Sequence, residues 1–169
     1  GDFAFSGCSS LKEFKGKFAS VDGRCLLVDE KLIFFAQCGL TEYTIPDSVT
    51  SIGDYAFYDC SSLTSITTPD SVTSIGDYAF AYCSSLTSIT IPDGVTSIGD
   101  YAFNHCSSMK EVYCKSTTPP AGGLAMFYNN SLGRKIYVPT ESVEAYKAAS
   151  KWSAYADDIY GYDFENNSI

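Results

Sequence analysis

The chain has 169 residues, of which 45% are hydrophobic and 15% are aromatic, and this composition indicates one domain with a packed core. Its formal net charge at pH 7 is −9, and no lysine or arginine occurs between Lys31 and Lys110. Such an acidic balance disfavours nucleic acids and anionic membrane surfaces as partners. No apolar run approaches the roughly 20 residues of a membrane-spanning helix, so we expect no membrane span in this segment.

The first fourteen residues, GDFAFSGCSSLKEF, match the second half of a unit that recurs further along the chain. Gly1 therefore corresponds to the middle of a unit. A stacked unit leaves an apolar side open at its end. We expect the N-terminal end to pack on another copy, which would give end-to-end self-association, or on a longer parent chain.

Residues 15–45 interrupt the repeated pattern with an insert. Within it, 24-RCLLVDEKLIFFAQ-37 contains two apolar runs that are joined at Asp29 and Glu30. Two such runs around a short polar connection predict a β-hairpin. Because the connection has no glycine, we do not expect a two-residue type I′ turn.

Residues 46–114 contain three copies of one 23-residue unit, as the spacing of matching prolines and cysteines shows. A unit of this length is too small to bury its own apolar side, so the repeat predicts a solenoid in which each unit stacks on the next. The spacing Leu86-x-x-Ile89-x-Ile91 predicts one strand in each unit, with the intervening side chains outward. The matching residues are Pro46, Pro69 and Pro92, and Cys60, Cys83 and Cys106.

Residues 115–169 break the period and are expected to cover the last unit of the stack. The segment 136-IYVP-139 predicts a last strand, and Thr140 stands where the N-cap of a helix is expected. The sequence thus predicts a helical C-terminal cap. The apolar side chains expected to face inward are Val143, Tyr146, Ala149, Trp152, Tyr155 and Ile159.

The repeated pattern I-P-x-x-V-x-x-I-G-x-x-A-F-x-x-C-x-x-L-x-x-I resembles the BspA-like (Treponema pallidum type) leucine-rich repeat family of bacterial surface proteins. The resemblance covers the three full units and the partial unit at the N-terminus. It implies a right-handed α/β solenoid with a parallel sheet on its concave face. It also implies a bacterial cell-surface or extracellular protein that is linked to adhesion or protein binding.

We expect this module to bind a protein partner, such as a host matrix or cell-surface protein, through the outward residues of the concave sheet. Those residues are Ser65, Thr67, Ser88, Thr90, Glu111 and Tyr113. One alternative is a carbohydrate-binding module that uses the repeated Tyr55, Tyr78 and Tyr101. Another is a structural spacer within a longer surface protein.

The positions that differ between copies are interpreted as outward. They are Tyr58-Asp59, Ala81-Tyr82 and Asn104-His105. His105 is the only histidine and lies at one of these variable turns, so no catalytic triad can be assembled and we do not expect an enzyme.

Two further columns of residues raise the question of a metal or a disulfide. The repeated cysteines are interpreted as small core residues, with a disulfide or thiolate metal site as the alternative. The repeated aspartates are interpreted as caps of turns, with calcium binding as the alternative. No cofactor and no metal is therefore expected. The aspartates form two columns, Asp47, Asp70 and Asp93, and Asp54, Asp77 and Asp100.

Overall fold

The computed structural model describes residues 10–37 and 39–168. Cys8, Cys38 and the expected packing of the N-terminal end lie outside these residues. Between residues 10 and 168, apart from position 38, the chain forms twelve short strands and little helix. The strands are β1 (Cys25–Val28), β2 (Lys31–Phe35), β3 (Glu42–Thr44), β4 (Ser51–Ile52), β5 (Ser65–Thr67), β6 (Ser74–Ile75), β7 (Ser88–Ile91), β8 (Ser97–Ile98), β9 (Glu111–Cys114), β10 (Ala121–Gly122), β11 (Lys135–Pro139) and β12 (Ile159–Tyr162).

Each unit contributes one short strand and one longer strand, and like strands of successive units pair in parallel, except that β5 and β7 are not paired. The short-strand sheet has the order β1-β2-β4-β6-β8-β10. The long-strand ladder consists of β3-β5 followed by β7-β9-β11-β12. The register follows the repeat, since Ser51 pairs with Ser74 and Ser74 with Ser97. The chain therefore has the leucine-rich repeat fold, with parallel sheets and few helices.

A column of stacked phenylalanines forms the centre of the core. Neighbouring rings lie 4.9 to 5.4 Å apart between centroids, and every ring is at most 1% exposed. The alanine before each repeated phenylalanine is also buried, because the loop after each short strand turns both side chains inward. Stacking thus buries what no single unit could bury. The phenylalanines are Phe35, Phe57, Phe80, Phe103 and Phe127.

The turn after each short strand depends on very close backbone contact between units. A Cβ atom at Gly99 would lie 2.5 Å from the backbone nitrogen of Asp77. The carboxylate of Asp77 in turn accepts a hydrogen bond from the backbone N–H of Asp100 at 2.7 Å. Likewise, the carboxylate of Asp54 accepts a hydrogen bond from the backbone N–H of Asp77 at 3.0 Å. These aspartates therefore cap the backbone of the next unit.

The insert forms an antiparallel pair of strands, β1 and β2, joined by two residues. Asp29 and Glu30 have φ angles of 49° and 62°, which is the left-handed region that a type I′ turn requires at both positions. The expectation that the turn would avoid this geometry was wrong. Aspartate occasionally adopts the left-handed region because its short side chain can form local hydrogen bonds. Glu30 is held there by the paired strands on either side of the turn. β2 also pairs in parallel with β4, so the insert joins the stack directly.

Residues 121–127 continue the stack beyond the three copies that the sequence displays. β10 pairs in parallel with β8. The backbone at Gly123 lies very close to that at Gly99, and the same close contact occurs between Gly99 and Gly76. The backbone N–H groups of Tyr101 and Phe103 donate to the carbonyls of Leu124 and Met126. The first part of the expected cap is therefore one more unit of the solenoid.

The chain then turns through Thr140–Ser142 and the helix α1 (Val143–Ala148), followed by a 3₁₀ segment at Trp152–Asp158. The expected role of Thr140 as an N-cap was wrong, because no side-chain hydrogen bond caps this helical segment. Trp152 is fully buried, and its indole N–H donates to the carbonyl of Pro120 at 2.7 Å. Within the described ranges, no helix has both the length and the apolar character needed to cross a bilayer.

Candidate binding surfaces

The six candidate residues on the long-strand ladder lie where alternation predicts. In β7 and β9 the inward side chains are buried and the intervening ones are partly exposed. Ser88 pairs with Glu111 and Thr90 with Tyr113, so these four form a continuous patch. Ser65 and Thr67 lie on β5, which contacts β7 without ladder pairing between the two described strands. The binding role of all six stays a prediction.

The ladder also carries aromatic residues that sequence reasoning missed. Tyr137 on β11 stacks on Tyr113 with ring centroids 5.0 Å apart. Tyr162 on β12 contacts both of these rings at 5.4 Å, and Tyr160 lies 6.4 Å from Tyr137. We call Tyr113, Tyr137, Tyr160 and Tyr162 the tyrosine cluster. It forms because β12 returns parallel to β11 and brings distant residues beside the last repeat.

Polar and charged groups surround the tyrosine cluster. The Tyr113 hydroxyl donates to the Glu111 carboxylate at 3.1 Å. Burial and then this neighbouring carboxylate raise the pKa of Tyr113 to about 12. The Lys135 ammonium lies 5.7 Å from the centre of the Tyr160 ring. Beside the cluster is a groove of about 560 Å³ whose lining includes Lys115, Thr140 and Tyr162.

The alternative glycan residues form a tight stack. Tyr55 and Tyr78 lie 5.0 Å apart with their ring planes 6° from parallel, and Tyr78 and Tyr101 lie 5.0 Å apart at 16°. The three tyrosines therefore stack face to face along the repeat. Because each ring covers the face of its neighbour, the stack offers mainly ring edges and hydroxyls to a ligand.

At the positions that vary between copies, some side chains are exposed and others are buried. Ala81 is fully buried and Asn104 is 7% exposed, so interpreting both members of each pair as outward was wrong. The second members are more open, and Tyr82 is 40% exposed. The His105 ring stacks on Tyr82 at 4.7 Å between centroids, and its Nε2 lies 3.0 Å from the Asn129 amide nitrogen. His105 is thus part of an aromatic column.

The repeated cysteines are core residues with a hydrogen-bonding role. The five cysteines in the described part of the chain are all free and buried. The thiols of Cys83 and Cys106 donate to the carbonyls of Phe57 and Phe80 at 3.2 and 3.1 Å. Burial raises the pKa of Cys83 well above its usual value, which makes this thiol a poor nucleophile and a poor metal ligand.

The next unit supports the structural interpretation of the cysteines. Asn130 takes the place of the cysteine there, and its amide donates to the carbonyl of Phe103 at 2.7 Å. No cluster of three or more His, Cys, Asp or Glu side chains suited to a metal ion occurs among residues 10–37 and 39–168. The chemistry that recurs at this position is hydrogen-bond donation to the preceding phenylalanine carbonyl.

A family model described as the BspA type leucine-rich repeat region, with six copies, matches residues 32–151. A crystal structure of a leucine-rich repeat protein from Bacteroides capillosus is 30% identical with a TM-score of 0.55, and the match covers 64% of this chain and 85% of that one. A leucine-rich cell surface protein from Faecalibacterium prausnitzii is 23% identical with a TM-score of 0.50, covering 80% of this chain and 39% of that one.

A leucine-rich repeat protein from Eubacterium ventriosum is 23% identical with a TM-score of 0.53, and 74% of this chain matches 38% of that one. The chain therefore spans less than half the length of the relatives from Faecalibacterium and Eubacterium. Likeness at this identity supports the fold. None of the curated proteins compared with the chain matches it.

Proposed function

Because the chain belongs to the BspA-type leucine-rich repeat family, we propose that it is a non-enzymatic protein-binding or adhesion module of a bacterial cell-surface or secreted protein. The relative from Faecalibacterium prausnitzii is described as a cell surface protein, which supports this location. We further propose that residues 1–169 form one domain, coiled right-handed, with the long-strand ladder on its concave side. Its parts are the partial repeat 1–14, the insert 15–45, the repeats 46–114 and the closing segment 115–169.

The tyrosine cluster is the observation that carries this proposal. Tyrosine is enriched in protein interfaces because it combines a large rigid ring with a polar tip. Here three partly exposed rings, those of Tyr113, Tyr160 and Tyr162, pack around Tyr137, which is only 4% exposed. They adjoin a strip of serine and threonine hydroxyls on neighbouring strands. Tyr160 is 42% exposed at the edge of this area, which leaves it accessible to a partner.

The alternative of glycan binding through Tyr55, Tyr78 and Tyr101 has less support. A sugar ring stacks on an open aromatic face, whereas these three rings cover one another at 5.0 Å. A structural spacer is the remaining alternative, and it requires no binding surface.

The test is binding to arrays of extracellular-matrix proteins, cell-surface proteins and glycans. If a protein ligand is found, Thr67→Arg and Tyr160→Ala should each weaken it by about tenfold, since both change exposed positions on the ladder. Ser61→Arg adds the same charge at an exposed turn and should leave binding unchanged. Retained affinity in both ladder variants would contradict the proposal, and silence on all arrays would favour the spacer.

A further inference from the structure

A second aromatic surface lies on the loops that follow the short strands, away from the tyrosine cluster. Its rings contact one another along the stack, at centroid distances between 4.7 and 6.2 Å. Tyr82 and Tyr128 are 40% and 56% exposed. We call this surface the aromatic face. It consists of Tyr55, Tyr58, Tyr78, Tyr82, Tyr101, His105 and Tyr128.

A column of carboxylates lies beside the aromatic face. Asp54, Asp77 and Asp100 each directly precede one of its tyrosines, and one oxygen of each caps the backbone of the next unit at 2.6 to 3.0 Å. Asp59 is an exposed neighbour of Tyr58. The pKa of Tyr78 is raised, first by desolvation and then by the neighbouring Tyr101, Asp100 and Asp77. Carboxylates therefore lie close to the phenol groups.

Among residues 10–37 and 39–168, the aspartates that precede the repeated tyrosines form no ion pair. The ion pairs of the described residues join Lys15 to Glu13, Lys115 to Asp70 and Arg134 to Asp158. None of them involves Asp54, Asp77 or Asp100. Lys31 is a nearby cation, since it lines a groove together with Asp54 and Asp77. The face therefore combines exposed rings with three carboxylates that form no ion pair, and it has an excess of negative charge.

Arginine is the side chain whose chemistry matches both features. Its planar guanidinium packs against aromatic rings and donates paired hydrogen bonds to carboxylates. Lysine carries the same charge but lacks a planar group that could pack against a ring. We propose that the aromatic face binds an arginine-rich segment of a partner protein. The guanidinium groups lie against Tyr82 and Tyr128 and donate to the carboxylates, which recur once per unit, about 5 Å apart.

The test is the affinity of the full chain for a deca-arginine peptide, measured by fluorescence anisotropy at about 0.15 M salt. The triple variant Asp54→Asn, Asp77→Asn, Asp100→Asn should weaken binding by about tenfold or more. Asparagine keeps an oxygen that can accept the capping hydrogen bonds, so the fold should persist, as a circular dichroism melt would check. The matched control is the triple variant Asp47→Asn, Asp70→Asn, Asp93→Asn. It removes the same formal charge at the same spacing elsewhere in each unit and should change affinity by less than about twofold. The exposed Asp70–Lys115 pair at 3.9 Å, which the control also removes, contributes little to stability.

The role of the rings is tested by comparing deca-arginine with deca-lysine. Wild-type protein should bind the arginine peptide several times more tightly, and Tyr128→Ser and Tyr82→Asn should each reduce that preference. Asparagine is chosen at position 82 because it tolerates the positive φ of Tyr82. If the triple variant unfolds, Tyr128→Ser still tests whether the aromatic face binds arginine. Equal losses in the two triple variants, or no preference for arginine, would show only the general attraction of an acidic protein and would overturn the proposal.

Discussion

Gly99 is invariant among the copies for a steric reason. A side chain there would place a Cβ atom 2.5 Å from backbone atoms of the preceding unit, a separation that real Cβ atoms do not show. Relief would need two units to separate, which would also lengthen the short-strand hydrogen bonds. The glycine therefore sets how closely successive units stack.

We predict that Gly99→Ala lowers the free energy of unfolding by about 3 kcal/mol or more, as overpacking against rigid backbone does. Gly94→Ala is the matched control. Its nearest contact would be an ordinary 3.4 Å, and the other copies carry Ser48 and Ser71 at this position. The control should change stability by less than about 1 kcal/mol. Urea denaturation measures both, and equal stability of the two variants would contradict this account of the glycine.

The cysteine column shows what a single sequence can and cannot reveal at this scale. The period predicted that Cys60, Cys83 and Cys106 are core residues, which their burial confirms. Their hydrogen bonds to phenylalanine carbonyls could not be predicted, because they depend on the offset between neighbouring units. Variation between copies was a poor guide to exposure: Ala81 and Asn104 differ in type, yet both are buried.

At the level of elements, the last unit of the solenoid was hidden by substitutions at its most recognisable positions. Ala125 replaces the repeated tyrosine, Met126 the alanine and Asn130 the cysteine. Phe127 and Gly123 keep the two roles that stacking requires, namely the core ring and the close approach. Sequence periodicity therefore predicted the regular units, while this one became apparent only through its backbone pairing.

The tyrosine cluster was hidden for a different reason. Tyr113 belongs to a repeated unit and could be identified from its register. Tyr160 and Tyr162 come beside it only because the chain turns through α1 and returns as β12. The alternation of tyrosine and glycine in 160-YGY-162 indicates a strand. The strand with which it pairs could not be predicted from the sequence.

Arg134 joins the last unit to the returning segment. It is 8% exposed, and its guanidinium donates to the carbonyl of Phe127 at 2.8 Å and pairs with Asp158. The guanidinium carbon also lies 5.4 Å and 5.1 Å from the ring centres of Phe127 and Tyr155. One side chain thus satisfies a buried carbonyl and holds two elements together.

We predict that Arg134→Met lowers the free energy of unfolding by about 2–4 kcal/mol, because the Phe127 carbonyl and Asp158 lose their partner. Lys110→Met removes the same charge from an exposed position on the neighbouring unit and should change stability by less than about 0.5 kcal/mol. Urea denaturation again measures the difference. If the two variants match, Arg134 contributes only its charge, and the proposed junction is wrong.

For the whole molecule, stacking places many weakly acidic groups in the interior, and this couples stability to alkaline pH. Burial raises the pKa of Cys25 to about 12, and burial followed by Glu111 raises that of Tyr113 to about 12. Burial also raises the pKa of Cys114 and Tyr146 above their usual values. In the unfolded chain these groups lose protons near pH 9 for cysteine and pH 10 for tyrosine.

The folded state therefore holds more protons than the unfolded state above about pH 9, so stability must fall as pH rises. The contribution is complete below the unfolded pKa values and is lost progressively between about pH 9 and pH 12. We predict a melting temperature that is nearly constant from about pH 7 to pH 8.5 and then declines steadily. Cys114→Ala removes one such group, so its stability difference from wild type should shrink as pH rises. A flat melting temperature up to about pH 11 would mean that these groups titrate in the folded state as they do in water.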